Sequence, residues 1–167
     1  LKDRGYGWRK QDARFDIAAS PNESNRFGYI VELDPLDPTS TLKKRSALGR
    51  CNHENAAVVV SESGYVVVYM GDDERGEFLY RFISKEKYHP DRDNSNLLEY
   101  GRLYVAKFHD DLRGEWLELT PQTTGMTSQA EICVHTRCAG SAVHATTMDR
   151  PEWIAVNPDK TDVYCCL

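Results

Sequence analysis

Short runs of β-branched and aromatic residues dominate the first two thirds of the chain, and Gly, Asp, Asn and Pro separate them. Runs of this length and composition are typical of β-strands. Short polar turns join the second, third and fourth runs, which indicates an antiparallel meander. Such meanders form propeller blades when repeated radially, but barrels and sandwiches use the same local signals. The predicted strands lie at 28–33, 56–60, 65–70, 78–83, 103–108, 116–119, 153–156 and 162–166.

One segment departs from the strand period of two. Between 127 and 143, Ala130, Cys133 and Arg137 fall near helical spacing, and Ser128 is suited to cap the helix start. The pattern along the chain therefore predicts an all-β fold with a short helical insertion.

The composition and charge of the chain argue against some classes of function. The chain has 167 residues and a net charge of −5, from 21 Lys and Arg against 26 Asp and Glu. No stretch approaches the ~20 apolar residues that span a bilayer. The mild acidity argues against nonspecific nucleic-acid binding, because such binding relies on basic surfaces. We therefore predict a folded domain, or a piece of one, with no membrane or nucleic-acid partner.

His53 and Glu54 stand at the entrance of the strand predicted at 56–60, where a rigid sheet can hold a metal site at a loop edge. A zinc metalloprotease helix needs a second His three residues after the Glu, and Ala57 occupies that position. The pair is therefore either a metal site of another kind or a solvated pair of loop residues.

Three consecutive carboxylates, Asp72, Asp73 and Glu74, lie in a predicted hairpin loop flanked by Gly71 and Gly76. Their mutual repulsion is costly unless solvent or a hard cation offsets it. Calcium is the natural candidate for such a cation. The alternative is an exposed acidic turn without a ligand.

A second polar cluster, Asp149 to Trp153, precedes a predicted strand. Within it, Pro151 restricts the backbone between Arg150 and Glu152. An arginine suits a phosphate or a carboxylate, and a glutamate suits a cation. The cluster is therefore either a binding site or a structural salt bridge.

Taken in order, these clusters and the runs around them resemble the PhoX-type alkaline phosphatases, from about Phe15 to Tyr164. The resemblance is specific because the shared motifs are long. The motifs are 25–35 (NRFGYIVELDP), 37–41 (DPTST), 44–50 (KRSALGR), 67–77 (VVYMGDDERGE), 103–108 (LYVAKF) and 148–158 (MDRPEWIAVNP).

The resemblance implies a bacterial phosphatase that hydrolyses phosphate monoesters, built on a β-propeller and dependent on iron and calcium. Residues 1–167 would be a fragment of a single β-propeller catalytic domain, inactive alone, in a monomeric protein. Twin-arginine export to the periplasm or the medium is also implied. The alternative from another class is a noncatalytic, calcium-stabilised propeller that serves as a binding or structural module.

Carried over residue by residue, the resemblance implies that Glu54 and Glu152 bridge metals and that Arg150 contacts the phosphate. It further implies that one or more of Asp72, Asp73 and Glu74 hold calcium. Other ligands of the family would lie before residue 1 and after residue 167.

Overall fold

The computed structural model describes residues 5–159 and 162–167. Most of its regular structure is β, with three short helices near the end of the chain. The strands are β1 (Val31–Glu32), β2 (Lys43–Lys44), β3 (His53–Val60), β4 (Tyr65–Asp72), β5 (Arg75–Glu77), β6 (Leu79–Lys87), β7 (Gly101–Phe108), β8 (Gly114–Glu118), β9 (Met148–Asp149), β10 (Ile154–Val156) and β11 (Val163–Cys165). The helices are α1 (Pro121–Thr124), α2 (Gln129–Val134) and α3 (Thr136–Ala142), and 3-10 turns lie at Trp8–Lys10, Ala13–Phe15, Glu23–Arg26 and Ser46–Leu48.

Five of these strands form the main sheet in the order β3-β4-β6-β7-β8, and every neighbouring pair is antiparallel. The predicted meander and the all-β class are therefore confirmed. Three two-stranded pairs, β1–β2, β5–β9 and β10–β11, lie beside the sheet. The described strands form open sheets that do not close into a barrel.

The strand predicted at 28–33 is shorter than its apolar pattern suggests. Only Val31 and Glu32 pair with β2. Gly28 has a φ of +83°, a left-handed conformation that interrupts an extended strand. Its carbonyl accepts a hydrogen bond from the Cys51 N–H, so this segment runs against the residues before β3 instead.

The main sheet is covered on both faces, which explains why its interior strand β4 is apolar almost throughout. One face packs against the helices, and the other packs against β10. Side chains that alternate along a strand thus enter two different clusters. The first cluster includes Leu48, Val68, Met70, Tyr80, Phe82, Leu103, Val105, Ile132 and Ala139, and the second is centred on Leu79, Ala106 and Ile154.

The helix predicted over 127–143 is present but broken in two. Ser128 caps α2 as expected, since its Oγ accepts the Glu131 N–H at 3.2 Å. His135, with φ −112° and ψ 45°, separates α2 from α3. Among the described residues, no helix has the length and apolar character required to cross a membrane.

Candidate phosphate and metal site

The segment that contains Arg150, Pro151 and Glu152 lies directly on the end of β4. A Cβ added at Gly71 would be 2.3 Å from the Pro151 carbonyl oxygen and 2.5 Å from that of Glu152. No side chain fits in this space, so only glycine allows the two backbones to approach. This contact brings the acidic turn and the Arg-Pro-Glu segment together.

Strand pairing reinforces the contact. β9 pairs with β5, and Arg75 lies opposite Asp149. Since Arg150 follows Asp149 directly, this pairing places Arg150 beside the turn formed by residues 72–74. The predicted hairpin loop is therefore more ordered than its sequence suggests, because strand structure occupies both of its sides.

A bulge in β3 adds Glu54 to the same edge of the sheet. His53 lies opposite Asp72, and the next regular pair joins Ala56 to Met70, so two residues of β3 oppose Gly71 alone. Bulges of this kind redirect side chains and are frequent near active sites. The two residues that oppose Gly71 are Glu54 and Asn55.

Asn55 joins the bulge to the strand that follows Glu152. Its Nδ2 donates to the Ile154 carbonyl at 2.8 Å, and its Oδ1 accepts the Ile154 N–H at 3.0 Å. The side chain thus replaces the hydrogen bonds that a neighbouring strand would supply. It fixes β10 against β3, and Glu54 is the residue next to this link.

Arg150 is held between two carboxylates. Its Nε donates to Asp73 Oδ1 at 2.9 Å, and its Nη2 donates to Asp73 Oδ2 at 3.2 Å. The same Nη2 lies 2.8 Å from Glu152 Oε1. The hydrogen bonds to Asp73, followed by the charges of both carboxylates, raise the pKa of Arg150 above its usual value. Half of the Arg150 side chain nevertheless stays exposed to solvent.

Arg150 also has an unusual backbone. Its φ is +60°, although it is neither glycine nor asparagine. The residue precedes Pro151, whose ring further restricts the conformations open to it. Outliers of this kind cost about 1–3 kcal/mol and cluster at functional sites. The local strain supports a functional role for the Arg150 side chain.

The three carboxylates of the acidic turn have separate environments. Asp72 is completely buried, and both of its oxygens accept hydrogen bonds from Arg137 at 2.7 Å. Asp73 binds Arg150, and Glu74 Oε1 accepts the Arg75 N–H at 3.1 Å. An exposed acidic turn, one of the two interpretations of the sequence, does not describe Asp72. Two guanidinium groups provide the charge compensation that the sequence alone assigned to solvent or a cation.

The side chains of His53 and Glu54 also have different environments. His53 is partly buried, and its Nε2 lies 3.0 Å from the Gly49 carbonyl oxygen. Burial lowers the pKa of this imidazole, so the fold favours its neutral form. The Glu54 side chain is exposed and forms no hydrogen bond or ion pair with the residues that the structure describes. Of the pair, Glu54 is therefore the residue free to bind a cation.

Sequence analysis missed three residues that organise this site: Asn52, Asn55 and Arg137. Arg137 carried a usable signal, because it occupies an apolar position of the predicted helix. A charged residue at such a position indicates a buried partner of opposite charge. The two asparagines act through backbone contacts with distant segments, and nothing in their local sequence indicates this.

Within residues 5–159 and 162–167, no group of three or more His, Cys, Asp or Glu side chains is arranged to hold a metal ion. The carboxylates of the acidic turn, of the β3 bulge and of Glu152 nevertheless have suitable chemistry. Calcium prefers oxygen ligands, and carboxylates also bind iron. Glu54, Asp73, Glu74 and Glu152 could therefore supply part of a ligand set.

Comparison with known proteins assigns the chain to a family. The family model described as "Alkaline phosphatase PhoX" matches residues 2–167. The solved structure of Pseudomonas fluorescens PhoX in complex with vanadate, a transition state analogue, is 48% identical, with a TM-score of 0.89. The match covers 95% of this chain and 30% of that one. No curated protein matches the chain.

The fold and the motifs thus define a class, the alkaline phosphatases of the PhoX type. The chain belongs to this family. The resemblance inferred from the motifs is therefore confirmed. The chain spans 30% of the length of the solved relative.

Proposed function

We propose that the protein containing this chain hydrolyses phosphate monoesters and that Arg150 contacts the phosphate. The observation that carries this proposal is the placement of Arg150 at the junction of three segments. A guanidinium group there is half exposed, fixed by Asp73, and close to the carboxylate of Glu152. The vanadate bound by the solved relative supports the assignment, because vanadate mimics a phosphoryl group in transfer.

The hydrogen bonds of Arg150 leave donors for a substrate. Nε and Nη2 are engaged by Asp73 and Glu152, whereas Nη1 binds no residue among those described. Two N–H groups on Nη1 can therefore donate to phosphate oxygens. Such charge-assisted hydrogen bonds are stronger than neutral ones, and the planar guanidinium fixes their direction.

We further propose that Glu54 and Glu152 bridge metal ions and that Asp73 and Glu74 contribute to a calcium site. Calcium and iron are the metals proposed. When bound, such cations act as Lewis acids that neutralise negative charge on the phosphate oxygens. The carboxylate of Asp72 is fully buried as well as engaged by Arg137, whereas that of Asp73 is partly exposed, so we propose Asp72 as the anchor of the turn rather than as a direct ligand.

The antiparallel meander is compatible with a propeller blade, and we propose that residues 1–167 belong to a single β-propeller catalytic domain. The exposed apolar side chains of Val58, Trp153 and Tyr164 agree with packing against further parts of such a domain. We also propose that the protein is a monomer exported by the twin-arginine route to the periplasm or the medium.

The full-length protein provides the test. Hydrolysis of p-nitrophenyl phosphate is measured at alkaline pH with calcium, after chelation, and after calcium is returned, and bound iron and calcium are quantified. Calcium-dependent turnover with bound iron supports the proposal. A folded protein that binds calcium but has no activity would favour the alternative, a noncatalytic calcium-stabilised propeller.

A further inference from the structure

Two Asp–Arg pairs share one turn of the chain. Asp72 and Asp73 are consecutive, and each carboxylate accepts two hydrogen bonds from a single guanidinium group, that of Arg137 and that of Arg150 respectively. Asp72 is fully buried, whereas Asp73 lies at the surface beside Arg150. Any movement of the buried pair therefore moves the turn that carries Asp73.

Asn52 connects the two pairs directly. Its backbone N–H donates to Asp72 Oδ1 at 3.0 Å, and its carbonyl accepts the Asp73 N–H at 2.9 Å. Its side-chain Nδ2 donates to the Asp73 carbonyl at 2.8 Å. Asn52 thus holds the Asp73 backbone on both sides, and the Asp72 carboxylate in turn holds Asn52.

Arg137 reaches this network from α3, a helix distant in sequence from the acidic turn. Besides Asp72, it lies 3.7 Å from Glu77 Oε1, so one guanidinium serves two carboxylates. Without Arg137, the carboxylates of Asp72 and Glu77 would lie close together with no cation between them. The guanidinium is therefore the element that keeps the turn closed on Asn52.

We propose that Arg137 is a positioning residue for Arg150, acting through Asp72, Asn52 and Asp73. This inference rests on the proposed role of Arg150 in binding phosphate. In this proposal Arg137 acts without contacting the substrate, since its guanidinium is engaged by Asp72 and Glu77. It fixes the carboxylate that orients the Arg150 guanidinium, so its loss weakens phosphate binding at a site on the far side of the turn.

The test measures inhibition by inorganic phosphate in the full-length enzyme. Arg137→Gln is expected to raise the phosphate inhibition constant about tenfold, because the Arg150 donors lose their alignment. Arg137→Lys keeps the positive charge but loses the planar guanidinium with its paired N–H donors. We expect its phosphate inhibition constant to lie between those of wild type and Arg137→Gln. Asn52→Ala removes only the exposed amide and is expected to change the constant in the same direction, which keeps the test valid if Arg137→Gln does not fold.

Arg45→Gln is the matched control. Arg45 is also buried and also bridges two carboxylates, Glu32 at 2.6 Å and Glu99 at 3.2 Å, but it makes no contact with the turn. This variant is expected to lower the unfolding temperature and to leave the phosphate inhibition constant unchanged. The comparison separates loss of positioning from loss of stability.

A double variant tests the route of the effect. In an Arg150→Lys background, Arg137→Gln is expected to add no further change in phosphate inhibition. If Arg150→Lys alone leaves the constant unchanged, the proposed role of Arg150 fails and this inference fails with it. If Arg150→Lys raises the constant while Arg137→Gln and Asn52→Ala do not, only the positioning role is overturned.

Discussion

The two Asp–Arg pairs of the acidic turn have nearly the same geometry and opposite surroundings. Arg137 binds a carboxylate with no exposed surface, and Arg150 binds one that is 15% exposed beside open solvent. All four hydrogen bonds are between 2.7 and 3.2 Å. The hydrogen bonds alone therefore do not distinguish the two pairs, whereas burial and the backbone conformation of Arg150 do.

A buried ion pair can fix the position of a charged side chain at the surface next to it. A buried charge that loses its partner is heavily penalised, so the inner pair holds the turn in one conformation. An exposed pair contributes little to stability, so Arg150 can exchange contacts when a ligand arrives. The unusual φ of Arg150 is maintained by the close packing of Gly71 on the Arg-Pro-Glu backbone.

The largest expected effect comes from Gly71→Ala. Its Cβ would be 2.3 Å from the Pro151 carbonyl oxygen, so β4 and the Arg-Pro-Glu segment must separate. Misplaced catalytic groups cost about 10²-fold in rate. We therefore expect the kcat/KM for a phosphate monoester to fall by about this factor. Gly76→Asn is the control, because a Cβ there meets no atom within 4 Å and Asn tolerates the positive φ. Equal activity of Gly71→Ala and wild type would show that the contact does not position the site.

Arg137→Leu breaks the inner pair. Because Asp72 remains buried without a cationic partner, we expect the free energy of unfolding to fall by about 3 kcal/mol, near the lower end for buried pairs since Arg137 is partly exposed. Denaturant unfolding of the full-length protein measures this change. A loss below about 1 kcal/mol, the range of surface pairs, would contradict the distinction between the two pairs.

Asp73→Asn weakens the outer pair and is expected to change unfolding by less than about 1 kcal/mol. Its activity should nevertheless fall, because the Arg150 guanidinium loses its fixed orientation and the proposed calcium site loses a charge. Unfolding and kcat/KM measured on the same preparation test this prediction. A large loss of stability with full activity would reverse the proposed roles of the pairs.

Glu77→Gln is expected to have the smallest effect, a change in stability that depends on pH. Burial, and then the nearby charges of Asp72 and Glu74, raise the pKa of Glu77 despite the opposing charge of Arg137. The fold therefore favours the protonated form, and the stability that this carboxyl contributes at low pH is lost as the pH rises through its raised pKa. We expect Glu77→Gln to raise the unfolding temperature at pH 7 and to match wild type near pH 4. Destabilisation at pH 7 would show that the ion pair with Arg137 outweighs burial.

Much of the fold could be predicted from local patterns. The strands of the meander followed from β-branched runs and polar turns, and Ser128 was correctly placed as a helix cap. The prediction failed at Gly28, where a positive φ interrupts an apolar run, and at His135, where the helix breaks. In both places a contact or conformation outside the local pattern determined the structure.

The site could be predicted only in outline. The motifs drew attention to Arg150, Glu152 and the acidic turn, and the structure brings these segments together. The burial of Asp72 and its pairing with Arg137 could not be read from the sequence, because that contact joins residues 65 positions apart. The asparagine links to backbone groups leave no pattern at all.

The central claim is that Arg150 binds the phosphate, and its most direct test is the kcat/KM of Arg150→Lys for p-nitrophenyl phosphate. Arg75→Lys is the control, since Arg75 is an exposed arginine of the same turn that pairs loosely with Asp149 at 3.7 Å. We predict that Arg150→Lys lowers kcat/KM by about 10²-fold, as the loss of an oriented donor to the transition state does, and that Arg75→Lys leaves it unchanged. Wild-type kinetics in Arg150→Lys would contradict the account.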